Sequence, residues 1–108
     1  MKRPLLALLV ALVLAATARA EDWDARLRAA GYVDLQLLIP SLRVELKYAT
    51  ADNLMGRPVY DGLTRAFLHP DAARKLRRAH ELLRLERPDL TLLVYDAARP
   101  IAVQRIMW

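Results

Sequence analysis

The chain has 108 residues, with 17 Lys and Arg against 12 Asp and Glu, and 56% of its residues are hydrophobic. It contains no cysteine, which excludes a disulfide framework, a thiolate metal site and a cysteine nucleophile. Three of its basic residues, Lys2, Arg3 and Arg19, belong to the first 20 positions; without them 14 basic residues face 12 acidic ones, a net +2 that does not argue for a nucleic-acid partner.

Residues 1–20 read as a secretory signal peptide. Lys2 and Arg3 give a positive start, residues 5–16 form an uninterrupted apolar block, and Ala18-Arg19-Ala20 places small residues where a signal peptidase cuts. Twelve apolar residues are too few to span a bilayer, which takes roughly 20. No cysteine follows the block, so a lipid anchor is excluded, and no stable membrane anchor is expected after cleavage. The expected location is the periplasm or another exported compartment. The 88 residues that follow make one domain at most, with a thin core.

Residues 22–31 predict a short helix that an acidic residue starts and Gly31 ends. Residues 32–39 alternate enough to suggest a strand, which Pro40-Ser41 breaks. Leu42, Val44 and Leu46 alternate with Arg43, Glu45 and Lys47, the clearest period-two pattern in the chain, and predict a half-exposed strand reaching Tyr48. Residues 49–62 are rich in turn formers and read as a long loop.

Residues 70–85 form the best predicted helix. Pro70 suits its first turn, Asp71 suits the positive end of its dipole, and Ala72, Leu76, Ala79 and Leu83 define an apolar face. Residues 90–95 suggest a buried strand, and Pro100 opens a last helix expected to run to Trp108. That helix meets no stop signal, so it reads as an element cut short. The early strands are too close in sequence for a crossover helix. The expected fold class is therefore α+β, an antiparallel sheet with flanking helices, in an incomplete domain truncated within a helix.

Few residues are placed for chemistry. His69 and His80 lack partners at ligand spacing, so both read as surface or boundary residues, and no metal site is expected within the chain. Arg74-Lys75-Leu76-Arg77-Arg78 has no interleaved aromatics and reads as a solvated helix face. There is no glycine-rich phosphate loop, and Ser41, the only serine, follows a proline in a turn. What remains is Tyr48, the Asp52-Asn53 loop, and Asp96 with Arg99 at a strand-to-helix corner. Arg99 is suited to grip a carboxylate or a developing oxyanion, and Asp96 to orient it or to bind a substrate ammonium. The same spacing also suits an ordinary corner ion pair.

Two stretches are familiar together. Leu46-Lys47-Tyr48-Ala49-Thr50-Ala51-Asp52-Asn53-Leu54-Met55-Gly56-Arg57-Pro58-Val59-Tyr60 resembles the opening motif of the D-alanyl-D-alanine dipeptidases, zinc peptidases of the vancomycin-resistance type. Val94-Tyr95-Asp96-Ala97-Ala98-Arg99-Pro100, with Ile101 to Gln104 and Met107-Trp108, resembles their second motif. The resemblance implies a zinc ion held by two histidines and an aspartate, a glutamate general base, and an arginine at Arg99 that stabilises the tetrahedral intermediate. It places Tyr48 and Asp96 at the active site, positioning substrate or arginine.

The family's Ser-x-His-x-x-Gly-x-Ala-x-Asp and Glu-x-x-His motifs follow the arginine and are absent from these 108 residues. Residues 21–108 are therefore expected to be the N-terminal part of such a dipeptidase. Zinc belongs to the full-length enzyme and is not expected in this part alone. The expected partner is D-Ala-D-Ala or a related cell-wall peptide. The alternatives are a D,D- or L,D-carboxypeptidase acting on larger muropeptides, a non-catalytic periplasmic binding module, and a decayed remnant.

Overall fold

The computed structural model describes residues 22–108; the proposed signal peptide lies outside the described residues. Four α-helices and four short strands are present among them. In chain order these are α1 (Trp23–Ala29), β1 (Val33–Asp34), α2 (Leu35–Leu38), β2 (Arg43–Val44), a 3-10 turn (Lys47–Ala49), β3 (Phe67–Leu68), α3 (Pro70–Glu86), β4 (Leu93–Val94) and α4 (Ile101–Ile106). None of the helices is long and apolar enough to cross a membrane.

The strands form two separate ladders. β1 pairs antiparallel with β3, Val33 opposite Leu68, whereas β2 pairs parallel with β4, Arg43 opposite Leu93. The α+β class holds, with one antiparallel ladder and one parallel one. A parallel pair needs a long crossover, and the segment from residue 45 to 92, with α3 in it, supplies one. The β2–β4 backbone bonds continue past both strands, from Glu45 to Val94 and from Lys47 to Tyr95.

Local chemistry explains most boundaries. The Asp22 carboxylate accepts the Ala25 amide at the start of α1. The helix ends in a Schellman motif: the Gly31 amide donates to Arg28, the Tyr32 amide donates to Leu27, and Gly31 takes φ +89°. The expected strand over 32–39 is corrected to two extended residues followed by a helical turn. Asp34 accepts the Gln36 and Leu37 amides, and this cap turns the backbone into α2 where the apolar alternation suggested a strand.

α3 starts as expected, with Pro70 and Asp71 in its first turn. Its inward face is Ala73, Leu76, His80 and Leu83, while Ala72 and Ala79 are exposed, so the expected apolar stripe is rotated by one residue. His80 is the cause: it is buried, not at a surface or boundary, with Nε2 2.8 Å from the Thr91 hydroxyl. Thr91 spends its own proton on the Ser41 carbonyl, so the imidazole is the donor in that contact. α4 is shorter than expected. Pro100 is its N-cap, and a tightened bond from the Met107 amide to Gln104 closes it after Ile106.

The core has two parts. Leu35, Ile39, Leu42, Ala66 and Ala73 form one, against which Val44, Val94 and Ala97 pack. Val59, Tyr60, Leu63, Phe67 and Val103 form the other, against which Tyr48 and Ala98 pack. Leu46 touches both. The corner after β4 thus drives Ala97 into one core and Ala98 into the other, and the Ala98 amide donates to the Phe67 carbonyl at 2.8 Å. Anchored between two cores, the neighbouring Asp96 and Arg99 have little freedom.

Candidate functional site

The site is built on that corner. Arg99 Nη2 donates to Asp96 Oδ2 at 2.5 Å, Nε donates to the Tyr60 hydroxyl at 3.1 Å, and Nη1 donates to Gln104 Oε1 at 2.8 Å. The Tyr60 hydroxyl in turn donates to Asp96 Oδ1 at 2.5 Å. The guanidinium carbon lies 4.8 Å from the centre of the Tyr48 ring, a cation–π distance. The Tyr48 and Tyr60 rings pack against each other at 5.9 Å.

Each contributor is positioned by a different part of the chain. Tyr48 sits in the 3-10 turn that ends the β2 ladder, and its carbonyl accepts the amides of both Val59 and Tyr60. Those two bonds fold the long loop back over the turn. Asn53 holds the loop's interior: its side-chain amide donates to the carbonyls of Lys47, Thr50 and Arg57, and its Oδ1 accepts the Met55 amide. Asp52 pairs with Lys47, whose ammonium also lies over the Tyr95 ring. The Asp52-Asn53 loop is therefore a scaffold that delivers Tyr60 to the corner.

The electrostatics favour a fixed cation. Burial pulls the Arg99 pKa down, but the Asp96 carboxylate and the Tyr60 hydroxyl outweigh it, and the guanidinium is held above its usual value. Burial raises the Tyr60 phenol well above the ordinary tyrosine range, and its bond to Asp96 raises it further. Tyr60 therefore keeps its proton at any physiological pH. The Arg99 side chain remains 23% exposed and Asp96 29%, so the group is reachable from solvent. Of five guanidinium N–H bonds, three are engaged, which leaves one on each Nη for an incoming anion.

Tyr48, Asp96 and Arg99 are thus brought together in one cluster. Tyr60 and Gln104 complete it, and reasoning from the sequence did not single them out. Gln104 lies one turn into α4, five residues from Arg99, a spacing that offered a local signal. Tyr60 ends the first motif stretch, but 39 residues separate it from Arg99 and no local spacing links the two.

Among the described residues, no group of three or more His, Cys, Asp and Glu side chains could hold a metal ion. His69 uses Nδ1 to accept the Asp71 amide at the start of α3, and His80 is bound to Thr91. The described residues therefore do not fit a zinc site.

Residues 28–108 match the family profile of peptidase family M15, described as D-ala-D-ala dipeptidase. The D-alanyl-D-alanine dipeptidase of Escherichia coli (strain K12) is 41% identical over 76 residues, which is 70% of this chain and 38% of that relative. The matched part of the chain thus spans well under half of the curated relative. No solved structure is a significant match.

Proposed function

The chain belongs to the D-Ala-D-Ala dipeptidase family, and from that premise we propose that it forms the anion-gripping part of an exported, zinc-dependent dipeptidase that hydrolyses the D-Ala-D-Ala dipeptide in cell-wall peptide turnover. The observation that carries this reading is the held guanidinium of Arg99, with two N–H bonds left over, in a chain of this family.

Hydrolysis of a peptide bond puts negative charge on the carbonyl oxygen. A preorganised cation at that oxygen lowers the barrier without reorganising at the moment of reaction. Arg99 is proposed for this role. Tyr48 flanks the guanidinium face and helps shape the substrate position. Asp96 has both oxygens turned to Arg99 and Tyr60, which supports orientation of the arginine over capture of a substrate ammonium. The zinc that the family's chemistry implies would be held by residues other than those described. The apolar block and small-residue cleavage pattern of residues 1–20 support export.

The first test is to sequence the coding DNA through and beyond the Trp108 codon. A frame that runs into a His-to-Asp zinc motif and a Glu-x-x-His supports the dipeptidase reading; a stop codon overturns it. Residues 21–108 alone are expected neither to bind zinc tightly nor to hydrolyse D-Ala-D-Ala. Stoichiometric zinc together with measurable turnover by that purified segment would contradict this assignment of parts.

A further inference from the structure

We propose that Tyr60 is a positioning residue for Arg99: its hydroxyl closes a ring with Asp96 and Arg99 that fixes the direction in which the guanidinium presents its remaining N–H bonds to the substrate carbonyl oxygen that gains negative charge. The inference rests on the reading of Arg99 as the anion-binding group.

An Asp–Arg pair three residues apart at a half-exposed corner is a weak constraint. Such pairs contribute little and leave the guanidinium able to turn about its own bonds. Tyr60 changes this. Its hydroxyl receives the Nε proton of Arg99 and gives its own proton to Asp96 Oδ1, while Asp96 Oδ2 receives the Nη2 proton. Nε and Nη2 make up one edge of the planar guanidinium, so that edge is filled by two acceptors that are themselves bonded together. Gln104 takes Nη1 on the opposite flank, and the Tyr48 ring covers one face. The N–H bonds left for a ligand are fixed by elimination.

Tyr60 is rigid enough to impose this. It is 6% exposed, packs with Val59, Leu63, Phe67 and Val103, and donates its backbone amide to the Tyr48 carbonyl at 3.1 Å. Its position is therefore set by the second core and not by the corner. Its raised phenol pKa keeps the hydroxyl proton available for Asp96. Phenylalanine would fill the same core space and remove both hydrogen bonds, which makes Tyr60→Phe the informative change.

The test uses the chain labelled with ¹⁵N-arginine, with Arg99 assigned by loss of its signals in Arg99→Lys. In the wild type the Arg99 Nη groups should rotate slowly and give separate signals. In Tyr60→Phe their rotation should accelerate at least about tenfold, with the remote amide spectrum unchanged, since a role confined to ring packing would move nothing at Arg99. Unchanged Arg99 signals in a folded Tyr60→Phe protein overturn the proposal.

A second measurement needs no variant. The wild-type Tyr60 hydroxyl proton should be protected from exchange and show a cross-peak to the Arg99 Nε proton. A hydroxyl in fast exchange with solvent also overturns the proposal, even if Tyr60→Phe fails to fold.

Titration with D-Ala-D-Ala separates this proposal from the functional reading. If Arg99 does not respond to the dipeptide but does respond to Tyr60→Phe, the substrate assignment fails and the positioning stands. If Arg99 responds to the dipeptide and ignores Tyr60→Phe, the positioning fails.

Discussion

The fold contains two aspartate–arginine clusters that differ in which partner is being held. Around Asp34 the carboxylate is the buried group. Oδ1 accepts the Gln36 and Leu37 amides, and Oδ2 accepts Arg65 Nε and Arg28 Nη2, so all its lone-pair sites are occupied. Its arginines lie on the outside, with the Arg28 side chain 54% exposed. Around Arg99 the arrangement is inverted. Three acceptors converge on one guanidinium, and the carboxylate of Asp96 receives only two donors. A saturated acid caps a helix and ties β1 to the segment before β3. An unsaturated, immobilised cation still has bonding capacity for something outside the fold.

That contrast is broken most directly by deleting each cluster's centre. In a gene product found to continue into both zinc motifs, Arg99→Ala is expected to lower kcat for D-Ala-D-Ala by about 10²–10³, the usual effect of losing one oxyanion-stabilising donor. KM should change less, because the proposed contact strengthens as charge develops in the transition state. Asp34→Ala in the same protein should leave kcat within about threefold, since its partners are all consumed within the fold. Steady-state kinetics on the two variants decides the matter. Comparable losses in both would erase the distinction between a holding cluster and a held cation.

The next effect is on stability. Asp34→Ala removes the α2 cap and orphans two amides, so unfolding in urea should show a loss of about 2 kcal/mol. Arg99 ¹⁵N signals should not move in that variant, because the two clusters share no hydrogen-bond partner. A shift at Arg99 would mean that the Asp34 cluster supports the corner through Phe67, whose carbonyl receives the Ala98 amide.

How much of this was readable in the sequence follows from how local each signal is. The start of α3 was legible because Pro70 and Asp71 act within one turn, and the end of α1 because Gly31 alone takes the left-handed conformation cheaply. The α3 face is one residue from the one its apolar residues predict, because His80 is polar by type yet Thr91 and Ser41 supply it with a buried hydrogen-bonded path. The 32–39 segment alternates like a strand, but the Asp34 cap, a two-residue effect, turns it into α2. In the site, Tyr48, Asp96 and Arg99 stood out through motif and corner. Tyr60 lies within the first motif, but its link to the corner depends on a loop closing across 36 residues to Asp96, and no local pattern encodes that closure.

The two clusters should also divide the pH dependence of stability between them, one at each end of the scale. Burial pushes the Asp34 carboxyl up, but Arg65 and the Gln36 and Leu37 amides outweigh it and hold it below its usual range. The stability it contributes is present above the unfolded carboxyl value of about 3.9 and is lost as pH falls from there through the depressed folded value. Asp34→Asn should therefore flatten the acid limb of urea midpoint against pH, and Tyr60→Phe should not.

Tyr60 works at the other end. Its folded pKa is raised, so the stability it contributes is intact below the unfolded value of about 10 and is lost as pH rises towards the folded one. At neutral pH Tyr60→Phe should cost about 1 kcal/mol, because Asp96 and Arg99 can turn partly to water. Above about pH 10 the gap between wild type and Tyr60→Phe should close, since the unfolded wild-type phenol ionises while the folded one resists. Paired urea titrations at pH 7 and pH 11 measure it. A gap that stays constant would mean that the Tyr60 hydroxyl exchanges freely with water, and the ring that separates the Arg99 corner from the Asp34 cap would then be no more than an ordinary ion pair.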